Sequence, residues 1–263
     1  VTLFELEAVG GPWGRRLARR RASFDAMPWD EPVGDASPAA LAAARWVWTQ
    51  SAFSEYASAA AFAEIASSLL AAGAPIDLSA AAGEFVVDEM LHAELCARLV
   101  SRLGGAVPLD VDLRRLVRPP EAEAPLLQAA ELLVRTSCVG EALTVPLLKA
   151  TRESSRSPLV RTVVSRIVRD ESAHAELGPW FLDWAAPRLT SADRAHLGRV
   201  AGAAIDAFAP VLAGECSNTD DLGVLPCKTY DPVFARAVEK RVVAPLRARG
   251  IEVVRAQAEL ERR

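Results

Sequence analysis

From Ser37 to about Leu70 apolar residues recur at helical spacing, until AAGAPID interrupts the pattern with a glycine and a proline. Ser37 followed by Pro38 reads as an N-cap and first-turn pair, so this segment predicts a first long helix. Asp77 is expected to cap a second helix that runs to Gly104 and Gly105. The connection AVPLDVDLRRLVRPPEAEA is then long enough to carry the chain across to a second helical hairpin. A third helix is expected from about Pro125 to Ser154, and Ser157 with Pro158 opens a fourth that continues to about Ala186. Thr190 or Ser191 caps a fifth, and a sixth lies near residues 231–248. Residues 214–230 mix turn formers with Leu222, Val224 and Leu225 and read as an ordered loop. The pattern is that of an all-α chain. We expect one domain over 1–263, made of an N-terminal arm (1–37), a four-helix bundle (38–187) and a C-terminal helical extension (188–263).

Composition narrows the setting. Half of the residues are apolar, yet no uninterrupted apolar run approaches the roughly 20 needed to cross a bilayer, and the first 30 residues lack a signal-peptide core. A cytoplasmic protein with no membrane partner is the expectation. The formal charge of −4 argues against general nucleic-acid affinity, although Arg15, Arg16, Arg19, Arg20 and Arg21 form a basic run that reads as a solvated helix face. Cys96, Cys138, Cys216 and Cys227 contain no CxxC pair, so reduced thiols are expected, with a Cys216–Cys227 bridge as the minor reading.

The chemistry is concentrated in one octapeptide written twice, DEMLHAEL at 88–95 and DESAHAEL at 170–177, in the middle of the second and fourth helices. These hold two of the three histidines in the chain. Residues three apart project from one side of a helix, so Glu89 with His92, and Glu171 with His174, can each reach a metal ion from a single turn. A dimetal site built from two such pairs in a four-helix bundle also needs a glutamate from each remaining helix, which we expect to bridge the ions.

That requirement can be tested on spacing. Glu55 lies about 16 residues before the first turn and His92 about 16 after it, so at about 1.5 Å per residue the two stand level. Glu64 is too near the loop and faces the other way, and is expected in solvent. Around the second turn Glu141 and Glu171 match in the same manner, whereas Glu131 is roughly 15 Å out of level. Glu55, Glu89, His92, Glu141, Glu171 and His174 therefore form one layer. Four carboxylates balance two divalent cations and leave both imidazoles neutral, and oxygen and nitrogen ligands without thiolate suit iron or manganese.

Asp88 and Asp170, four residues before the histidines, are placed to accept the remaining imidazole N–H and fix its tautomer. Thr144, Cys138 and Tyr56 are the candidates for lining a pocket beside the metals, with core packing the competing reading for Cys138 and Tyr56. His196 is expected not to be a ligand. Gly140 weakens the third helix and Pro146 removes a backbone donor, so a kink or π-bulge is expected beside Glu141.

Over about residues 38–187 the order Glu, Glu-x-x-His, Glu, Glu-x-x-His resembles the ferritin-like di-iron carboxylate proteins. The doubled E…DExxH spacing is similar to that of bacterial di-iron N-oxygenases acting on arylamines, which add a histidine where this chain has Ile167. The resemblance implies two iron ions per chain, with Mn/Fe or Mn/Mn as alternatives. It also implies a dioxygen-activating oxidase or oxygenase acting on a small organic substrate by hydroxylation, N-oxygenation or desaturation. Such an enzyme needs O2 and an electron donor, and a homodimer is compatible with it. Iron handling by a ferroxidase or peroxide-reducing protein is the alternative, ahead of a tRNA hydroxylase served by the N-terminal arginines and of a metal-free structural bundle.

Overall fold

The computed structural model describes residues 1–21, 23–32, 36–213 and 222–255. The arm carries α1 (Gly11–Arg20), followed by α2 (Pro38–Ala71) and α3 (Ile76–Arg102), which form the first hairpin. The third bundle helix is continuous but changes character along its length. It comprises α4 (Pro125–Leu133), a π-helical segment (Val134–Glu141) and α5 (Ala142–Ser154). α6 (Pro158–Ala185) completes the bundle, and α7 (Ser191–Ala213), α8 (Cys227–Ala237), a second π-helical segment (Val238–Val243) and α9 (Ala244–Arg247) lie beyond it. Two short strands, β1 (Thr2–Leu3) and β2 (Asp110–Val111), pair antiparallel and tie the arm to the crossover connection, Thr2 facing Val111. This is the all-α bundle that the periodicity predicts, with the ferritin-like fold that the resemblance implies.

The helix ends follow from their sequences. The Ser37 hydroxyl accepts from the Ala40 amide at 3.2 Å, and Ser157 does the same for Val160 at the start of α6. α2 closes at Gly73, whose φ of 63° lets the Ala74 amide reach back to the Leu69 carbonyl. Gly104 ends α3 in the same way, with the Gly105 amide on Val100. At α7, Thr190 and Asp193 exchange side-chain to backbone bonds, a reciprocal cap. One expectation is corrected here. Asp77 is not the cap of α3, which begins one residue earlier at Ile76 after Pro75; Asp77 sits in the first turn instead.

Two apolar clusters fill the bundle. One contains Trp48, Leu91, Leu95, Val164 and Ile167, and the other Phe62, Ile65, Leu133, Leu143 and Phe181. Between them lies a buried polar layer of Glu89, His92, Glu141, Glu171 and His174. Ile167 is fully buried in the first cluster. The loop expected at 214–230 is described only from residue 222 onward, residues 214–221 lying outside the described residues. There the Trp48 indole donates to the Leu222 carbonyl at 2.8 Å. Gly223, at φ 83°, lies so close to the Trp48 ring and Val160 that a β-carbon would not fit.

The cysteines depart from the expectation of reduced thiols. Cys96 and Cys138 are free and buried, but Cys227 is disulfide-bonded, and Cys216 lies outside the described residues. Closing a bridge requires only that the fold bring two thiols together, which the absence of CxxC spacing does not prevent. No helix among the described residues is long and apolar enough to cross a membrane.

Candidate metal centre

Each bundle helix sends one glutamate into the polar layer, and α3 and α6 add a histidine one turn on. The two imidazoles turn Nδ1 inward. His92 Nδ1 stands 3.0 Å from Glu171 Oε1, 3.7 Å from Glu89 Oε2 and 3.8 Å from Glu55 Oε2. His174 Nδ1 stands 2.9 Å from Glu171 Oε2 and 3.0 Å from Glu89 Oε1. Glu89 and Glu171 therefore each give one oxygen to either imidazole. Glu55 lies at the His92 end of the layer. Glu141 lies against Glu171 and close to Glu89 and His174.

This geometry separates the four glutamates into two kinds. The glutamates between the two halves are those of the Glu-x-x-His pairs, and Glu55 and Glu141 are the outer ones. The reason is that α3 and α6 cross with their octapeptides face to face, which puts the acid of each pair opposite the histidine of the other.

The same crossing decides which aspartate serves which imidazole. His92 Nε2 hydrogen-bonds Asp170 Oδ2 at 3.2 Å, and His174 Nε2 faces Asp88 Oδ2 at 3.8 Å, beyond direct hydrogen-bonding reach. Each aspartate thus attends the histidine of the other octapeptide rather than its own. Asp170 is held by Arg166 at 2.6 Å, and against the upward pull of burial the His92 and Arg166 contacts bring its carboxyl down to about 2.

The empty-handed chemistry of the layer fits divalent cations. Both oxygens of Glu89 and Nδ1 of His92 are buried with no hydrogen-bond partner, although burying an unpaired carboxylate costs several kcal/mol. One oxygen or nitrogen from each of Glu55, Glu89, His92 and Glu171 falls within 4.8 Å of the others, the spread of a single coordination sphere. Burial, reinforced by the negative charge of Glu171 and Glu89, pushes the Glu141 carboxyl well above the carboxylate range. Burial raises Glu55 likewise, only partly countered by His92. For His174 the order reverses: burial lowers its affinity for a proton, but Asp88, Glu171 and Glu89 outweigh it and hold the imidazole at about 12. Such a cluster is short of positive charge, which protons or metal ions can supply.

One residue absent from the sequence reading, Ser137, holds the His174 backbone in place. The Ser137 hydroxyl, in the π-helical segment, donates to the His174 carbonyl at 2.6 Å and accepts from the Gly178 amide at 2.8 Å. It is inserted into the i to i−4 pair of α6 immediately before Pro179, where the ladder is already weakened. Gly178 allows this approach, since a β-carbon there would meet Cys138 Sγ at 2.5 Å. The internal Gly-Pro pair was the available signal. Cys138, expected near the pocket, is instead packed behind it in the core, and burial raises its thiol to about 12. Phe85 and Phe62 close the same side, with ring centroids 4.2 and 5.2 Å from that of His174.

The opposite side is open. A cavity of about 230 Å³ reaches Glu55 and Glu141, and Thr144 lines it as expected. Thr136, Gly140 and Thr144 form its wall on the third helix, while Ser137 and Glu141 on the neighbouring stripe face α6. Tyr56 does not line it, packing on Phe4 with centroids 5.5 Å apart. Glu64 is exposed. His196 is no part of the layer: it bonds Glu131 at 2.8 Å, and Glu131, fully buried, also takes the amides of Glu121 and Ala122 and an arm of Arg135.

A model of the p-aminobenzoate N-oxygenase AurF family matches residues 77–219, more than half of the chain. The chain belongs to this family. The AurF-type proteins are ferritin-like di-iron oxygenases, so this member is an oxidoreductase that uses dioxygen. The matched span runs from α3 into the region after α7 and holds Glu89, His92, Glu141, Glu171 and His174; Glu55 precedes it. Among curated proteins the chain has no significant match.

Proposed function

We propose that Glu55, Glu89, His92, Glu141, Glu171 and His174 hold two iron ions in each chain, and that the enzyme oxygenates the amino group of a small, single-ring organic substrate. The observation that carries this reading is the position of Glu89 and Glu171, each facing both imidazoles, in one layer with Glu55 and Glu141, which line a cavity. Bound iron supplies the electrons that reduce dioxygen. Glu89 and Glu171, each facing both imidazoles, would help to hold both ions. Glu55 and Glu141, the only two of the six that line the cavity, would help to hold the ions on the side from which substrate enters. Asp170 holds the His92 ring by its outer nitrogen and keeps Nδ1 available as a ligand. Phe62 and Phe85 exclude water on the closed side, so substrate approaches from the cavity alone.

Placing one oxygen atom on the amine and releasing the other as water consumes two electrons and two protons, so an electron donor is part of the proposal. That need favours a cytoplasmic setting. The same oxygen and nitrogen ligands accept manganese, which makes Mn/Fe and Mn/Mn the alternatives to Fe/Fe. A homodimer and the single-domain organisation belong to the same reading. p-Aminobenzoate, for which the family is named, is a one-ring amine of the size that the cavity takes.

Anaerobic loading with Fe(II), followed by iron counting and oxygen-uptake measurements with and without an arylamine, tests the proposal. About two irons per chain and amine-dependent uptake are expected, both lost in Glu89→Ala and Glu171→Ala. Less than about one iron per chain, unchanged by those substitutions, would sink it.

A further inference from the structure

The wall of the cavity above Glu55 and Glu141 carries information about charge. Its polar groups, apart from those two glutamates, are the hydroxyls of Ser54, Ser58, Thr136 and Thr144, and among the described residues no lysine, arginine or histidine lines it. Those four hydroxyls make no hydrogen bond to another described residue, whereas Thr49, Thr162, Ser165 and Ser172 each donate to the carbonyl one turn back in their helix. They are thus available to a guest as both donors and acceptors. The nearest cations in sequence are committed elsewhere: Arg114 grips Asp112 with both arms, Arg115 lies 3.7 Å from Asp112, and Arg135 donates to the Arg118 carbonyl and to Glu131.

An apolar cavity of about 150 Å³ is enough for benzene, so about 230 Å³ holds a ring and its substituents. With the reacting amine at Glu55 and Glu141, the remaining polar groups that the ring's other substituents can meet on the wall are hydroxyls. A carboxylate there would lose water without gaining a cation, and four glutamates against two divalent ions leave the centre no surplus positive charge. Neutral hydrogen-bonding groups meet no such penalty.

Resting on the proposed arylamine reading, we infer that the enzyme takes neutral arylamines, bearing an amide, hydroxyl or similar uncharged polar group, in preference to the aminobenzoate anion for which its family is named. The test is calorimetric titration of the Fe(II)-loaded, anaerobic enzyme at neutral pH with p-aminobenzamide and with p-aminobenzoate. The amide is expected to bind at least about tenfold more tightly. Thr144→Lys, which puts a cation on the wall, is expected to tighten the anion and narrow or reverse that ratio. Equal or tighter binding of the anion by the unmodified enzyme overturns the inference, and that comparison stands whether or not Thr144→Lys folds. Binding of neither compound also overturns it, while iron stoichiometry independently decides the dimetal reading.

Discussion

His92 and His174 differ in how firmly their outer nitrogens are held, and the difference has a measurable consequence. Asp170 is in hydrogen-bond contact with its imidazole and is itself anchored by Arg166; Asp88 stands 0.6 Å farther from its own, at 3.8 Å against 3.2 Å, and acts through charge alone. Removing a carboxylate that orients a ligand histidine typically lowers metal affinity about 10–100-fold. Asp170→Asn should show such a loss in chelator competition, and Asp88→Asn a smaller one; the opposite ranking would contradict this geometry. A second residue-scale effect lies outside the centre. Burial opposes ionisation of Glu131, but the amides of Glu121 and Ala122 together with His196 bring its carboxyl below the ordinary 4.5. A carboxyl depressed by folding contributes stability that is complete above pH 4.5 and lost as the pH falls through the lower, folded value. Urea denaturation of the wild type should therefore weaken with acid below about pH 4.5, and Glu131→Gln should be less stable at pH 7 but flatter across that window.

Elements explain what could and could not be read from the chain. The level of Glu55 with His92, and of Glu141 with Glu171, was legible because each depends only on the rise of a helix and the position of one turn. The π-helical segment was legible for a similar reason, Gly140 and Pro146 both weakening the ladder beside Glu141. The assignment of inner and outer glutamates was not, nor the crossed pairing of the aspartates, since both depend on how α3 meets α6. Glu131 stands outside the polar layer, and one of the groups that satisfy its buried carboxylate, His196, is 65 residues away. The same blindness covers α7, where Gly198 and Gly202 look like ordinary weak points in a helix. In the fold the segment after α9 runs directly against them, the Val254 amide donating to the Gly198 carbonyl at 3.1 Å. A β-carbon on Gly202 would collide with the Val254 carbonyl, and one on Gly198 with that of Glu252. Backbone cannot retreat as a flexible side chain does. Gly202→Ala should cost about 1–3 kcal/mol in urea denaturation, despite the better helix propensity of alanine, whereas Gly83→Ala in α3, where a β-carbon meets open space, should be neutral or stabilising.

Across the whole molecule the polar layer separates two apolar clusters, so the bundle holds four acids where packing alone would place hydrocarbon. Their mutual repulsion and desolvation weaken the metal-free protein, and metal binding returns that stability by mass action. At a free metal concentration of 100 times Kd the gain per site is about 2.7 kcal/mol, which for a chain of this size raises the melting temperature by roughly 5–10 °C. The inner and outer glutamates must then behave differently. Glu89 faces both histidines, with both of its oxygens lacking a hydrogen-bond partner. Glu89→Gln should leave the metal-free protein as stable as the wild type or more so, bind almost no iron, and show no rise in melting temperature when iron is added. Glu55 stands at the His92 end of the layer, with Glu89, Glu171, His174 and Glu141 together at the other. Glu55→Gln should therefore retain about one iron per chain and about half of the metal-dependent stabilisation. Identical iron content in the two variants would show that Glu89 is not shared, and the division into inner and outer carboxylates would fail with it.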